Sequence, residues 1–223
     1  MTRLYVHPLP VRIWHWINAL GFVALMLTGI QIGYRVFEAL PLKPVIDLHC
    51  AIGFVLIANY GVWLVYYLFS DRITVYHPEL SPRTHYRNVM RQLAYYGYGL
   101  FKGQPNPHHV SAYRKFNALQ AMTYQIVMIL LVPLALYSGV VLWDMQAFAG
   151  TVALLGGPRA VNTLHVSLFV GFVAFLFVHI YLTTLGHTAG AHIKAMLNGY
   201  EEVEQAGEPA AEPVPAAAVA PAH

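Results

Sequence analysis

The stretch VNTLHVSLFVGFVAFLFVHIYLTTLG, residues 161–186, places two histidines inside a long apolar run. His165 and His179 are fourteen residues apart, a spacing that advances an α-helix by about 21 Å and turns it by a little less than four turns. Both side chains therefore lie on one face of a single helix, at opposite depths of a bilayer with a hydrocarbon core about 30 Å thick. Ionisable groups at membrane depth face the interior of a helix bundle, so these histidines need partners on other helices.

Three further segments are long and apolar enough to supply such helices. The chain of 223 residues is 57% hydrophobic and 10% charged, which is typical of an integral membrane protein and excludes an ordinary soluble domain. The predicted spans are residues 11–34, 45–69, 116–142 and 161–186. The first is expected to stay in the mature chain, because its apolar run is too long for a cleaved signal and no small-residue cleavage site follows. We therefore predict an all-α four-helix membrane bundle over residues 1–202.

The lysines and arginines predict how this bundle is oriented. Ten of the thirteen lie on one side of the spans, before the first, between the second and third, and after the fourth. Short basic flanks remain in the cytoplasm. Both termini and the middle loop are therefore predicted to be cytoplasmic, in a bacterial inner membrane. The net charge of +3 is explained by topology and contact with anionic lipid, and no nucleic-acid motif accompanies it.

Three segments outside the spans have compositions of their own. Residues 85–102 (HYRNVMRQLAYYGYGLFK) mix cations with apolar and aromatic side chains, a pattern typical of a helix lying at the membrane interface. Residues 144–157 mix polar and apolar side chains and are interpreted as a short cap on the outer face. Residues 203–223, rich in alanine, proline and glutamate, are predicted to be a disordered tail.

Depth along the spans pairs four intramembrane histidines. His15 lies near the cytoplasmic start of the first span, level with His179, and His49 lies near the outer start of the second, level with His165. Two imidazoles at one depth suit the two axial positions of a haem, so the pattern predicts two haem b groups stacked across the membrane, with these histidines as iron ligands. The alternative is four core histidines hydrogen-bonded across helices. Cys50 is the single cysteine, which excludes covalent haem attachment through C-x-x-C-H and iron–sulfur ligand sets.

At these motifs the chain resembles a family, the membrane cytochrome b subunits of nickel–iron hydrogenases, formate dehydrogenases and thiosulfate reductases. HPLPVRIWHW at residues 7–16 and LHCAIGF at residues 48–54 are similar to its first two haem-ligating helices. The fourth span matches its two-ligand helix, and GHTAGAHIKAMLNGYEE at residues 186–202 is most similar to the thiosulfate-reductase branch. The resemblance covers about residues 4–202.

The resemblance implies electron transfer between membrane menaquinone or ubiquinone and a periplasmic redox partner. That partner is a multihaem cytochrome c, a molybdenum enzyme or a hydrogenase, and either direction of electron flow stays open. The chain is then the quinone-reactive subunit of an oxidoreductase complex. A quinone site is expected beside the cytoplasmic haem, where four side chains are candidates for contacts with the quinone or with haem propionates: Arg12, His187, His192 and Lys194. The alternative for each is a solvated or headgroup-facing side chain.

Two other functions are compatible with the same residues. One is a stand-alone di-haem oxidoreductase that oxidises superoxide or reduces ferric iron, with a substrate pocket of its own at the outer face. The other is a membrane anchor without redox work. The visible spectrum of the reduced protein separates the anchor from the other two, and co-purification of a partner separates the subunit from the stand-alone enzyme.

Overall fold

Four long apolar helices form the structure, a computed structural model that describes residues 2–69, 81–108, 116–186 and 188–203. Their bounds confirm the four predicted spans to within three residues at every end. The first two are α1, Leu9–Tyr34, and α2, Leu42–Phe69, and the fourth is α7, Pro158–Thr183. The third runs from Ala118 to Trp143. Pro10 and Pro158 stand in the first turns of α1 and α7, where a missing N–H costs no helical hydrogen bond, so these helices begin earlier than their apolar runs.

The third span changes helical form along its length. It consists of α4, Ala118–Gln125, a π-helical segment, Ile126–Leu131, and α5, Val132–Trp143. Asn117 caps its start, since the Asn117 side chain accepts from the Gln120 N–H and the Gln120 side chain accepts from the Asn117 N–H. This reciprocal capping satisfies two donors that the first helical turn leaves free.

Pro133 explains the π-helical segment. The N–H of Val132 donates to Val127, five residues back, and in that pattern the next carbonyl, of Met128, faces a proline nitrogen that carries no hydrogen. The Tyr60 hydroxyl of α2 donates to this carbonyl instead, at 3.0 Å. The break in the third span is therefore also a hydrogen-bonded junction with α2.

Hydrogen bonds and aromatic side chains join the spans elsewhere. Trp14 Nε1 donates to the Asn59 carbonyl at 3.1 Å, and Asn59 Nδ2 donates back to the Trp14 carbonyl at 3.2 Å, which ties α1 to α2. Trp63 is buried with Met128, Val132 and Phe172 in a core shared by α2, the third span and α7. Such polar links across apolar helices replace a hydrophobic driving force that lipid does not supply.

Shorter helices occupy the two loop segments singled out in the sequence. The middle loop contains α3, Pro82–Ala94, which continues as a π-helical segment, Tyr95–Gly99, and a 3₁₀ turn, Leu100–Lys102. The outer segment contains α6, Ala149–Leu154, whose Val152 is buried against Val141 and Val161. The structure has helices in both segments, and the membrane-surface position of α3 stays a prediction.

Besides the helices, the described residues contain one pair of short strands, which the sequence analysis did not predict. Strand β1, Thr2–Tyr5, pairs antiparallel with β2, Tyr200–Val203, directly after a short helix α8, Ala191–Asn198. Gly199 makes the turn between α8 and β2 with a φ of 92°, and a Cβ there would lie 2.6 Å from the Tyr5 ring, so glycine alone fits. Val203, the first residue of the predicted disordered tail, is the last residue of β2, and residues 204–223 lie outside the described residues.

Candidate haem-binding sites

The four histidines lie as two pairs, in the combination that depth along the spans predicted. The rings of His49 on α2 and His165 on α7 have centroids 6.4 Å apart, with their planes at 74°. The rings of His15 on α1 and His179 on α7 have centroids 6.2 Å apart, with their planes at 50°. We call these the outer pair and the inner pair, after the predicted orientation.

Both separations suit two imidazoles that share one metal ion. With metal–nitrogen bonds of about 2 Å and a ring nitrogen about 1 Å from its centroid, two such rings have centroids about 6 Å apart. Aromatic rings in simple contact have centroids about 4.5–7 Å apart, so distance alone does not decide between ligation and packing. The hydrogen bonds of the imidazoles carry the further information.

In the outer pair, a hydroxyl fixes the proton on His49. Thr28 Oγ1 lies 2.8 Å from His49 Nδ1 and 2.7 Å from the carbonyl of Ala24. A carbonyl only accepts, so the single hydroxyl proton goes to Ala24 and the Thr28 oxygen accepts from Nδ1–H of His49. The other ring nitrogen, Nε2, then keeps its lone pair, which is the form of histidine that binds a metal.

Ser138 does the same for His165. Ser138 Oγ lies 2.8 Å from His165 Nδ1 and donates to the carbonyl of Ala135 at 3.0 Å, so it too accepts from Nδ1–H. Sequence analysis missed both hydroxyl residues. Thr28 and Ser138 were visible as polar side chains in apolar spans, but such residues usually bond only to their own helix, so the sequence carried no sign of the cross-helix acceptor.

Glycines leave room around the outer pair. A Cβ added to Gly29 would lie 3.6 Å from His49 Cε1, and one added to Gly139 would lie 3.3 Å from His165 Cε1. Each glycine directly follows the hydroxyl residue that holds the same imidazole. Added Cβ atoms at Gly53 and Gly171 would meet no neighbouring atom of the described residues within 4 Å. The donor set and the small residues around it therefore fit a flat macrocycle between the helices.

Aromatic rings flank the inner pair. His179 stacks on Phe175 with a centroid distance of 5.7 Å and an angle of 21°. The Trp16 ring stands edge-on to His15 at 5.5 Å, and its Nε1 donates to the Met196 carbonyl of α8 at 3.2 Å. These contacts restrict both imidazoles and connect the inner pair to the helix that follows α7.

Two of the four predicted quinone-contact residues, His192 and Arg12, are held by contacts at one end of the bundle in the described part of the chain. His192 donates through Nδ1 to the Thr183 carbonyl at 3.2 Å, and its Nε2 lies 3.5 Å from Glu201 Oε1. The hydrogen bond to Glu201 raises the pKa of His192, although burial acts to lower it. Lys194 is exposed, and His187 lies outside the described residues.

The fourth predicted contact residue, Arg12, lies where α8 meets α1. Its Nη1 donates to the Leu197 carbonyl near the end of α8. Arg12 and His192 are thus held at the same end of the bundle, which is the end that carries both strands. Arg12 precedes His15 by three residues and therefore projects from a neighbouring face of α1.

Comparison with known proteins identifies the relatives of the chain. A family model described as prokaryotic cytochrome b561 matches residues 6–199. The putative cytochrome YdhU of Escherichia coli K12 is 30% identical over 89% of this chain and 74% of its own length. A putative protein-methionine-sulfoxide reductase subunit, YedZ1 of Azospira oryzae, is 27% identical over 81% of this chain and 90% of its own. A probable Ni/Fe-hydrogenase B-type cytochrome subunit of Rhizobium leguminosarum is 26% identical over 80% of each.

Proposed function

The chain belongs to the prokaryotic cytochrome b561 family, and on that premise we propose that it carries electrons between quinone and a periplasmic redox partner through two haem b sites. The family confirms the predicted resemblance to membrane cytochrome b subunits and implies a b-type haem. The observation that carries the proposal is the meeting of two histidine pairs at two depths of one bundle. The thiosulfate-reductase branch suggested by residues 186–202 is part of the proposal.

The residues of the chain have distinct tasks in this proposal. Each histidine pair offers two imidazole nitrogens to an iron, and in the outer pair the hydroxyls of Thr28 and Ser138 keep the ligating nitrogens unprotonated. Haem b, when bound, supplies reversible one-electron chemistry at its iron. The helices keep water away from both sites and hold them at opposite depths, so that electrons cross the bilayer within one chain.

Ligand variants test the haem sites. His49→Ala or His165→Ala is expected to remove the outer haem, and His15→Ala or His179→Ala the inner haem, so that haem per polypeptide falls from two toward one. Haem is measured as the pyridine haemochrome of purified full-length protein. Loss of both haems from every variant while the bundle stays folded, or loss of neither, contradicts the assignment.

We propose that quinone reacts at the inner pair, assisted by His187, His192 and Lys194, the three predicted contact residues other than Arg12. Oxidation of a quinol releases two electrons and two protons, so a quinone site needs a hydrogen-bond donor and a route for protons. His192 supports this role because it touches both Thr183, at the end of α7, and Glu201 of β2. Its Glu201 partner raises the pKa of His192, which favours a protonated imidazole able to donate to a carbonyl or pass a proton on.

Quinol kinetics test this second part. His187→Ala is the first variant, followed by His192→Ala and Lys194→Ala. A residue that positions quinone or moves its proton slows haem reduction by a quinol analogue and leaves reduction by dithionite and the haem spectrum intact. Wild-type quinol kinetics in all three variants remove this cluster from the mechanism.

A periplasmic subunit is the proposed partner at the outer end. Relatives of the chain are named as subunits of Ni/Fe hydrogenases and of a protein-methionine-sulfoxide reductase, which supports a partner of the hydrogenase, molybdenum-enzyme or multihaem cytochrome c type. Mild-detergent purification of the tagged chain from its own membranes tests this, with the partner identified by mass spectrometry. Isolation of a fully haem-loaded chain without a redox subunit favours the stand-alone oxidoreductase instead.

The cytoplasmic loop is proposed to lie on the membrane surface. Arg83, Arg87 and Arg91 recur every four residues on α3 and form one stripe. Met90 and Leu93, on the adjoining sector, are 46% and 44% exposed. Residues 81–108 contain no aspartate or glutamate. This combination supports an interfacial helix whose arginines meet headgroup phosphates.

A further inference from the structure

A groove runs along the outside of α1, beneath α8, at the end of the bundle where the two strands pair. Its volume is about 360 Å³. Its apolar walls come from both helices: Leu9, Ile13, Ile17, Leu20, Met196 and Leu197. The α1 members recur at three- and four-residue intervals and therefore share one face. Leu20 is 70% exposed, so the deep end of the groove opens toward lipid.

The dimensions of the groove match one leaflet of a bilayer. From Leu9 to Leu20 the helix rises by about 16 Å, at about 1.5 Å per residue. Half of a hydrocarbon core about 30 Å thick is about 15 Å. Because α1 begins at Leu9 and spans the membrane, the groove extends from headgroup depth at its start to near the bilayer midplane.

One cation stands at the headgroup end of the groove. Arg12 is the single charged residue among those lining it. Its Nη1 donates to the Leu197 carbonyl, whereas its Nε is buried and has no hydrogen-bond partner within the described part of the chain. A guanidinium has five N–H donors, so the two Nη groups keep donors for a ligand besides the one bonded to Leu197. The wall residues offer no negative charge to balance it.

We propose that this groove binds one anionic phospholipid, with its phosphate on Arg12 and an acyl chain along Ile13, Ile17 and Leu20. A phosphate oxygen pairs with the guanidinium in a charge-assisted hydrogen bond. The apolar walls cover the chain, and a headgroup with net negative charge complements a groove that carries net positive charge. The inference goes beyond electron transfer and holds whether or not the histidine pairs bind haem as proposed.

A polyprenyl quinone is the competing occupant. Its tail suits the same apolar walls, but its neutral head leaves the charge of Arg12 unbalanced at the edge of the membrane, which is costly. Charge therefore favours the phospholipid, and the two ligands differ in mass.

Native mass spectrometry of the haem-loaded full-length protein tests the proposal. Delipidated protein in detergent is titrated with phosphatidylglycerol and, separately, with phosphatidylcholine that has the same acyl chains. We expect one phosphatidylglycerol per chain, held about fivefold more tightly than phosphatidylcholine. Arg12→Gln is expected to weaken phosphatidylglycerol binding about fivefold, and Arg12→Lys to restore most of it.

Two more variants separate the groove from the rest of the surface. Ile17→Trp fills the groove and is expected to weaken lipid binding as much as Arg12→Gln does, without any change of charge. Leu27→Trp is its matched control, because Leu27 is 64% exposed on the same face of α1 but lies beyond the groove. Arg159→Gln is the matched control for charge, because Arg159 is exposed at the start of α7 and does not line the groove. It is expected to leave phosphatidylglycerol binding unchanged.

Several results overturn the inference. Equal binding of the two lipids, or undiminished phosphatidylglycerol binding by Arg12→Gln, excludes recognition through Arg12. Equal losses of phosphatidylglycerol binding in Leu27→Trp and Ile17→Trp exclude the groove as the binding site. Protein purified from its own membranes with a quinone-mass adduct that Ile17→Trp loses assigns the groove to quinone. If Arg12→Gln does not fold, the lipid comparison on the wild type and Ile17→Trp still decide.

Discussion

Replacing Thr28 by valine removes one oxygen at the outer pair and keeps the shape of the side chain. In the wild type this hydroxyl accepts from His49 Nδ1–H at 2.8 Å. A buried N–H that loses its partner costs about 1–3 kcal/mol, and a histidine that moves its proton to Nε2 no longer ligates. Loss of such a partner lowers metal affinity about 10–100-fold, which is about 1.4–2.7 kcal/mol. The two estimates agree, so we expect Thr28→Val to weaken binding of the outer haem by about 1.4–2.7 kcal/mol.

Transfer of haem to an excess of apomyoglobin measures this change. In Thr28→Val, one of the two haems is expected to leave about 10–100 times faster, while the other leaves at the wild-type rate. Thr28→Ser keeps the hydroxyl and is expected to restore slow transfer. Thr184→Val is the matched control, because Thr184 Oγ1 donates to the Tyr181 carbonyl of its own helix. It is expected to change neither rate.

Wild-type transfer from Thr28→Val refutes the argument that the hydroxyl sets the histidine proton. Equal acceleration of both haems also refutes it, because the effect is then on the whole bundle rather than on His49. Ser138→Ala gives an independent check, since the Ser138 hydroxyl contacts His165, the other histidine of the same pair. Ser138→Ala is expected to accelerate transfer of the outer haem as well.

Three further outcomes follow from the same structure. A cysteine introduced at Arg87 is expected to react with a membrane-impermeant thiol reagent only from the cytoplasmic side, and periplasmic labelling reverses the proposed orientation. Tyr60→Phe leaves the Met128 carbonyl without its donor and is expected to lower the free energy of unfolding by about 1 kcal/mol in detergent titration. Glu201 raises the pKa of His192 in the folded protein. The stability that this pair contributes is therefore full below about pH 6.5, the pKa of histidine in the unfolded chain, and is lost as pH rises through the folded pKa. The Tm deficit of Glu201→Gln is therefore expected to be larger at pH 6 than at pH 9.

The sequence sufficed for the spans and for the pairing of the histidines. Apolar runs of membrane length identify the helices directly, and helical periodicity together with depth leaves one level partner for His165 and one for His179. The resulting geometry, with centroids 6.4 and 6.2 Å apart, required no knowledge of side-chain contacts. Membrane proteins are favourable in this respect, because the bilayer fixes one coordinate of every residue in a span.

The features that were missed depend on contacts between segments distant in the chain. A proline inside an apolar span, such as Pro133, indicates a disturbed helix, but the donor from Tyr60 depends on how α2 lies against the third span. The acceptor for His49 comes from α1 and the acceptor for His165 comes from α5. Strands β1 and β2 are each four residues long, too short for alternation to stand out from the surrounding residues.

The pairing of Thr2 with Val203 also dictates an order of assembly. The hydrogen bonds between Trp14 and Asn59 join neighbouring spans and can form early in synthesis. The contact of His15 with His179 cannot form until the fourth span has been synthesised, and the two strands pair only after synthesis of α8. Contacts between residues so far apart in sequence form more slowly than contacts between neighbouring spans. The amino-terminal segment therefore remains without its partner strand until residues 200–203 have been synthesised.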